Sequence, residues 1–160
     1  MSNSFSHLNA DNQPSMVNVG AKKVSRRTAR ARSIVALGDA LLDQLQGDEL
    51  QSPKGPVFQT AVIAGIMAAK KTGELIPLCH PLGLEDCQIN IWINEQREVV
   101  IDCTASLSGK TGVEMEALTG ATVAALTVYD MCKALSHDII IRETKLMEKT
   151  GGKRDFKREE

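Results

Sequence analysis

The chain has 160 residues, of which 42% are hydrophobic and 24% are charged, and its formal net charge is -1. This length and composition predict a globular domain with a hydrophobic core and exclude a disordered chain. Aromatic residues make up only 3% of this nearly neutral chain, which excludes the basic footprint and stacking rings of a nucleic-acid-binding protein.

A single domain is predicted over residues 16–149, between a flexible polar N-terminal tail at 1–15 and a flexible basic C-terminal tail at 150–160. The sequence has no early apolar run and no stretch of about twenty apolar residues, so we expect a cytoplasmic location and no membrane partner. The four cysteines include no C-x-x-C pair, which predicts reduced thiols and no metal site.

Apolar periodicity predicts the order of elements in this domain. The first segment, 24–37, alternates as a strand, although its Arg and Ala content also permits a helix. The later elements are a short helix at 40–46, a helix at 57–71, strands at 87–93 and 99–107 joined by a turn, a helix at 112–135 and a strand at 138–148. This is the βαββαβ order of a ferredoxin-like α+β sandwich, in which two main helices cover one face of an antiparallel sheet.

The helix at 57–71 carries no charge before Lys70, and apolar residues occupy nearly its whole circumference. Such a helix is usually buried on every side, which in so small a domain indicates a subunit interface. Pro56, just before it, suits a first helical position. Lys54 would then place an amine near the helix N-terminus, where anions bind.

A basic run near the start of the domain contains Lys22, Lys23, Arg26, Arg27, Arg30 and Arg32. A solvated face and an anion-binding face are both consistent with such a run. Strand alternation places Arg27 on the face of Ala29 and Ala31, whereas the other arginines share the opposite face. Because a charge on an apolar face needs a partner, and a guanidinium matches phosphate oxygens, Arg27 is a candidate phosphate ligand.

The helix at 112–135 follows a short glycine motif. Gly109-Lys110-Thr111 resembles the end of a P-loop, but the glycine required five positions earlier is Thr104, so a P-loop ATPase is excluded. Thr111 and Glu114 instead fit a capping box, in which the two side chains satisfy the first amides of the helix.

A helical wheel places Glu116, Asp130 and Lys133 away from the apolar side of this helix. One interpretation is ordinary solvent exposure with an Asp130–Lys133 pair, and the other is a charged cluster that faces a ligand or a second subunit. Glu116 and Asp130 are about 21 Å apart along a helix and cannot touch each other. His80 lies in a proline-flanked loop and is a further candidate.

Six segments carry a more specific signal: KGPVF at 54–58, IAGIMAAK at 63–70, LIPLCHPL at 75–82, GKTGVEMEALT at 109–119, AALTVYDMCK at 124–133 and KTGGK at 149–153. Together they resemble the molybdenum-cofactor biosynthesis C protein family, the cyclic pyranopterin monophosphate synthases. The resemblance covers about residues 16–156. One departure is Pro56, where we expect an acidic residue in many relatives, and it bears on the Lys54 loop.

The resemblance implies a ferredoxin-like subunit in a homohexamer, a trimer of dimers with active sites at the dimer interfaces. It implies a lyase that converts the small molecule 3',8-cyclo-7,8-dihydroguanosine 5'-triphosphate into cyclic pyranopterin monophosphate with release of diphosphate. The enzyme acts after a radical SAM enzyme that makes this substrate. No cofactor is implied as a requirement, and whether Mg²⁺ accompanies the diphosphate is left open.

The resemblance also assigns residues to the site. The catalytic residues are expected to be Asp130, Lys133 and Lys54. The substrate-binding residues are expected to be Leu78, Cys79, His80, Met115, Glu116, Arg27, Glu114 and Lys149. In our hypothesis Lys54 and Lys133 are the general acid and base, Asp130 orients Lys133 or relays a proton, His80 and Arg27 hold phosphates, and Glu116 binds the guanine-derived edge.

Two other functions stay open at this point. A phosphotransferase with His80 as nucleophile would also suit a ferredoxin-like hexamer, and a trapped phosphohistidine would indicate it. A non-catalytic module that binds small anions is the second alternative, and ligand binding without product would indicate that one.

Overall fold

The computed structural model describes residues 6–160, so the first five residues of the predicted N-terminal tail lie outside the described residues. The strands in the described part are β1 (Ser25–Ala36), β2 (Gln51–Ser52), β3 (Gly55–Pro56), β4 (Asp86–Ile93), β5 (Val99–Gly109), β6 (Ile140–Thr150) and β7 (Phe156–Lys157). The helices there are α1 (Asp39–Leu42), α2 (Val57–Lys70), α3 (Thr72–Leu75) and α4 (Glu114–Cys132). The first long segment is therefore a strand and not a helix.

One five-stranded antiparallel sheet, in the order β4-β5-β1-β6-β7, forms the body of the fold, and β2 and β3 form a separate short hairpin. The helix α2 packs against α4 and β4, while α4 also packs against β1, β5 and β6. The prediction of an α+β ferredoxin-like arrangement is confirmed, because the four long strands and two long helices follow the βαββαβ order.

The core lies between the sheet and these two helices, and small residues build much of it. On β1, Ala29, Ala31 and Val35 are fully buried, as strand alternation predicts. The helices α2 and α4 cross at Gly65 and Gly120. A Cβ atom on Gly65 would lie 2.8 Å from the Gly120 carbonyl oxygen, so glycine permits this close approach.

The opposite face of β1 carries the other arginines of the basic run. Arg30 and Arg32 both donate to the buried carboxylate of Asp102 on β5, at 2.8 and 2.6 Å. Arg26 forms an ion pair with Glu85. These three arginines therefore have structural partners within the chain.

The C-terminal segment, expected to be a flexible tail, is attached to the sheet. Strand β7 pairs with Glu148 and Lys149 of β6, and the Glu160 carboxylate accepts a hydrogen bond of 3.0 Å from Arg30. A two-residue strand cannot show a periodicity, which is why alternation in the sequence does not predict it.

The helix α2 is not buried on every side within one chain. Ile63 and Met67 are 61% and 49% exposed, and Leu126 of α4 is 55% exposed. The subunit interface predicted for α2 stays a prediction, and the exposed apolar side chains are what such an interface requires. Pro56 is the N-cap residue of α2 and not its first helical residue, one position from the expectation.

Candidate active site

The charged candidates gather near the two ends of α4. This helix has 19 residues and is therefore about 28 Å long. Its N-terminal end borders a concave region that we call the basic cleft, whose cationic side chains are Lys22, Lys23, Arg27, Lys149 and Lys153. At its C-terminal end lies the lysine–aspartate cluster, which consists of Lys54, Asp130 and Lys133.

The basic cleft has a volume of about 380 Å³ and opens between β1, the start of α4 and the turn after β6. Its five cationic side chains face a single carboxylate among the lining residues, that of Glu114. Converging cations in a concave site concentrate anions by their summed field. The cleft therefore suits a ligand with several negative charges.

Among the described residues, Arg27 is the cation of the basic cleft that has a buried donor atom without an acceptor. Its Nε atom is buried without a hydrogen-bond partner in the described part of the chain, and one terminal nitrogen donates to the Lys110 carbonyl at a long 3.4 Å. A buried guanidinium nitrogen without an acceptor is costly. A phosphate oxygen would supply the missing acceptor.

Glu114 contacts Lys149, which corrects the predicted capping box. The Glu114 carboxylate accepts a hydrogen bond from Lys149 Nζ at 3.0 Å, and Glu114 is the first residue of α4 and not the third. The N-cap residue is Val113, which makes no side-chain cap, and the buried Thr111 Oγ1 has no partner among the described residues. The capping box fails because a lysine on β6, distant in sequence, attracts the carboxylate.

The turn after β6 is held firmly against β1. Gly151 has a positive φ of 88°, and a Cβ atom there would lie 1.7 Å from the Arg26 carbonyl oxygen. Its N–H donates to Asp155 at 3.1 Å, and its carbonyl accepts from Ser25 at 2.7 Å. Lys149 and the glycine backbone of the cleft are thus fixed in position without a ligand.

The lysine–aspartate cluster joins all three predicted catalytic residues. The two Asp130 carboxylate oxygens each contact one ammonium group, Lys54 Nζ at 2.9 Å and Lys133 Nζ at 2.9 Å. The three side chains are each about half exposed. Lys54 reaches Asp130 from the short β2–β3 hairpin, where Ser52 Oγ accepts from the Lys54 N–H and donates to the Gly55 carbonyl.

Charge pairing sets the protonation of this cluster. Lys133 and, to a smaller extent, Lys54 lower the pKa of Asp130 to about 2. The Asp130 carboxylate in turn raises the pKa of Lys133. At neutral pH Lys133 is therefore a proton donor and a cation, and it must first lose its proton to act as a base.

Glu116 is buried, which corrects the exposure expected from the helical wheel. The residue is only 3% exposed, and burial raises the pKa of its carboxyl group. The Glu116 charge acts on Cys79, whose thiol pKa is raised by burial first and by Glu116 second. A wheel considers one helix alone and misses such a neighbour from the 76–82 loop.

The other predicted binding residues lie on the same two segments. Leu78, Cys79 and His80 are half-buried in the loop, while Met115 is exposed at the start of α4. His80 Nε2 lies 2.7 Å from the Val17 carbonyl oxygen, so that nitrogen donates and is not free to act as a nucleophile. In the neutral imidazole the lone pair is then on Nδ1, so this contact leaves the phosphotransferase alternative open.

Three lysines of the basic cleft had no individual role predicted from the sequence. Lys22 and Lys23 belong to the basic run, and Lys153 belongs to the KTGGK segment. The basic run and the KTGGK segment are both evident in the sequence. Only strand periodicity distinguished one residue, Arg27, from the others, and the three lysines lie outside β1. Glu49 was not predicted either: its carboxylate accepts hydrogen bonds from the Phe58 and Gln59 amides at the start of α2, across the β2–β3 hairpin.

Residues 6–160 contain neither a membrane-spanning helix nor a cluster of metal-binding side chains. No helix in that range is long and apolar enough to cross a membrane. No group of three or more His, Cys, Asp or Glu side chains in the same range has an arrangement that would hold a metal ion.

The chain is thus a ferredoxin-like α+β domain with a cationic cleft at one end of α4 and a cluster of ionisable side chains at the other. The model of the MoaC family matches residues 16–152. This match covers more than half of the chain, and the chain therefore belongs to the MoaC family.

Three relatives contain a segment similar to this chain, and they differ in how much of their own length that segment covers. The chain is 53% identical to the cyclic pyranopterin monophosphate synthase of Xanthomonas axonopodis pv. citri, over 95% of this chain and 92% of the relative. It is 52% identical to the molybdenum cofactor biosynthesis bifunctional protein of Synechocystis sp., over 94% of this chain and 45% of the relative. It is 49% identical to molybdenum cofactor biosynthesis protein 1 of Dictyostelium discoideum, over 94% of this chain and 27% of the relative.

The chain thus spans less than half the length of the last two relatives and nearly the whole of the first. The shared part is the same in each comparison, since at least 94% of this chain aligns every time.

Proposed function

We propose that this chain is a cyclic pyranopterin monophosphate synthase, which converts 3',8-cyclo-7,8-dihydroguanosine 5'-triphosphate into cyclic pyranopterin monophosphate and diphosphate. The observation that carries the proposal is the 53% identity to a relative of that name over 92% of its length. A cationic cleft and a cluster that can exchange protons are what a triphosphate substrate and several proton transfers require.

Closure of the cyclic phosphate defines what the cations must do. A substrate hydroxyl oxygen attacks the α-phosphorus, and the bond from that phosphorus to the bridging oxygen breaks as diphosphate leaves. A base takes the hydroxyl proton. Arg27 and Lys149, with His80, hold the phosphates in our proposal and stabilise the charge that develops on the diphosphate.

Lys54 and Lys133 are the proposed general acid and base, and Asp130 orients both amines. Because Asp130 raises the pKa of Lys133, Lys133 begins as the proton donor. The lysine that acts as base must loosen its contact with Asp130 when substrate binds. Leu78, Cys79, Met115, Glu116 and Glu114 form the remaining binding surface, with Glu116 on the guanine-derived edge.

The distance along α4 supports a site shared between subunits. The two ends of this helix are about 28 Å apart, too far for both to contact the same reacting atoms. A second copy with its α4 antiparallel would bring the basic cleft of one subunit to the lysine–aspartate cluster of the other. The exposed Ile63, Met67 and Leu126 support such packing, and we propose a homohexamer built as a trimer of dimers.

Supplying the cyclic dihydroguanosine triphosphate and detecting product and diphosphate by mass spectrometry tests the activity. Formation of cyclic pyranopterin monophosphate at a rate that follows enzyme concentration is the expected result. If substrate is bound but stays unconverted, the chain is an anion-binding module and the proposal is wrong.

Mixing two impaired variants, at a substrate concentration at which each alone turns over slowly, tests the shared site. Arg27→Ala and Lys133→Ala subunits are mixed and allowed to exchange, and in a mixed dimer one site receives both intact residues. Partial recovery of activity is expected. Activity no higher than the sum of the two variants would place Arg27 and Lys133 of one site on the same chain.

The proposal also covers the location of the protein, its place in the pathway, and its cofactor and metal requirements. We place the protein in the cytoplasm, after a radical SAM enzyme that makes its substrate, with no nucleic acid or membrane as partner. No cofactor resides in the protein in this proposal, and any Mg²⁺ travels with the diphosphate. Comparing turnover with EDTA and with added Mg²⁺ tests that point.

A further inference from the structure

The helix α2 begins at Val57, three residues after Lys54, and its N-cap residue offers no side-chain acceptor to the first helical amides. The first amides of a helix have no partners within the helix and need acceptors from elsewhere. The N-cap position is held by Pro56, which makes no side-chain hydrogen bond to the helix. These amides therefore depend on another part of the chain.

Glu49 supplies the missing acceptors. One oxygen of its carboxylate accepts from the Phe58 N–H at 2.8 Å, and the other accepts from the Gln59 N–H at 3.1 Å. The negative charge also suits the positive end of the helix dipole. Glu49 is half-buried and lies nine residues before Phe58, so this cap spans the whole β2–β3 hairpin.

The same carboxylate holds the other arm of the hairpin. The oxygen that binds Phe58 also accepts from the Leu50 N–H at 2.8 Å. Beside it, the Val57 N–H donates to the Leu50 carbonyl at 2.9 Å. Both ends of the segment that carries Lys54 are therefore fastened at one point, and an ordinary N-cap residue would fasten only the helix end.

We infer that Glu49 is a positioning residue for Lys54. The inference rests on the proposed role of Lys54 in turnover. By fixing both ends of the hairpin, Glu49 sets where the Lys54 amine meets Asp130, 2.9 Å away. Small displacements of a reacting group lower turnover strongly. Loss of Glu49 should therefore lower kcat in a chain that is still folded.

A double-mutant cycle tests whether Glu49 acts through Lys54. Glu49→Ala is expected to lower kcat about tenfold in the wild-type chain and less than about twofold in a Lys54→Ala chain, because no amine is left to position. The control Ile101→Val removes one methyl group from a fully buried core residue and carries a comparable stability loss, with kcat within about twofold of wild type.

A second variant separates positioning from plain helix capping. Asp at position 56 would offer a carboxylate to the same helix amides, but it would not bind the Leu50 N–H. Pro56→Asp combined with Glu49→Ala is therefore expected to recover the unfolding temperature while kcat stays at least about fivefold below that of Pro56→Asp alone. Full recovery of kcat would make Glu49 only a cap and overturn the inference.

The outcomes distinguish the inference from the proposed function. A Lys54→Ala chain with wild-type kcat removes Lys54 from the mechanism and the inference with it. A slow Lys54→Ala chain in which Glu49→Ala still lowers kcat tenfold overturns the inference alone. Circular dichroism of each variant confirms that the comparisons are made between folded proteins.

Discussion

The two ends of α4 differ in how their charged side chains are paired. At the N-terminal end, the basic cleft is shaped by backbone that Gly151 and its partners fix, and Arg27 keeps a buried Nε without an acceptor. At the C-terminal end, Lys54, Asp130 and Lys133 are about half exposed and satisfy one another. In the first region a buried donor lacks an acceptor, whereas in the second region the charges are paired with one another.

This difference is consistent with the proposed division of roles, in which the basic cleft binds substrate and the lysine–aspartate cluster transfers protons. Exposed ion pairs contribute little to stability, so the lysine–aspartate cluster is not explained as a support for the fold. The basic cleft, in contrast, holds several like charges close together, which a folded chain tolerates better once an anion is bound. Substitutions at the two ends should therefore change different quantities.

The largest effect is expected at the lysine–aspartate cluster. Lys133→Ala should lower kcat by about a hundredfold or more, the usual contribution of a positioned acid or base, with substrate affinity and unfolding temperature nearly unchanged. Steady-state kinetics and a direct binding assay check this. Lys145→Ala is the matched control, because Lys145 is a partly exposed lysine paired with Glu143 and lies away from both ends of α4. A folded Lys133→Ala variant with normal kcat would contradict the proposed acid–base role of Lys133.

At the basic cleft, Arg27→Ala should chiefly weaken binding. We expect the dissociation constant for the triphosphate to rise about thirtyfold, or about 2 kcal/mol, as for the loss of a hydrogen bond to a charged group. Stability without ligand should hold or rise, since a buried nitrogen without an acceptor disappears. Titration calorimetry measures both variants, with Arg26→Ala as the neighbouring control on the opposite face; equal effects of the two changes would remove the special status of Arg27.

The backbone of the basic cleft can be tested apart from its charges. Gly151→Ala should lower the free energy of unfolding by about 1–2 kcal/mol, because an L-residue at positive φ is strained and the new Cβ would meet the Arg26 carbonyl. Gly83→Ala is the control, since nothing lies within 4 Å of a Cβ there. Denaturant unfolding compares the two, and equal stability would show that the turn is not fixed as described.

The same contrast explains how much the sequence predicts. Periodicity locates β1, α2, β4, β5, α4 and β6 because each is long enough to show one, and it places Arg27 correctly beside Ala29 and Ala31. The hairpin β2–β3 and the strand β7 have two residues per strand and no period. These short elements were therefore accessible only from the structure.

For the site, local rules fail where a distant segment intervenes. Glu114 turns to Lys149 on β6 instead of capping its own helix, and Glu116 is buried although the wheel predicts exposure. The i,i+3 contact of Asp130 with Lys133 is local and was predicted correctly. The contact of Asp130 with Lys54 spans 76 residues; the resemblance named both residues as catalytic but predicted no contact between them.

The smallest expected effect compares the two acids of α4 by their pH dependence. Burial raises the pKa of Glu116 above its value in the unfolded chain, so its favourable contribution exists at acid pH and is lost as pH rises through the folded pKa. Glu116→Gln should therefore raise the free energy of unfolding at pH 7, and this gain should shrink as pH falls.

The lysines give Asp130 the opposite sign, because they lower its pKa to about 2. Its contribution exists at neutral pH and is lost as pH falls from about 4 to about 2. Asp130→Asn should thus lose stability at pH 7, by a modest amount since the group is exposed, and this loss should shrink as pH falls towards about 2. Urea unfolding across this range, with Glu95→Gln as an exposed control, checks both signs. Parallel pH dependences for the two variants would mean that burial and charge pairing do not distinguish the two ends of α4.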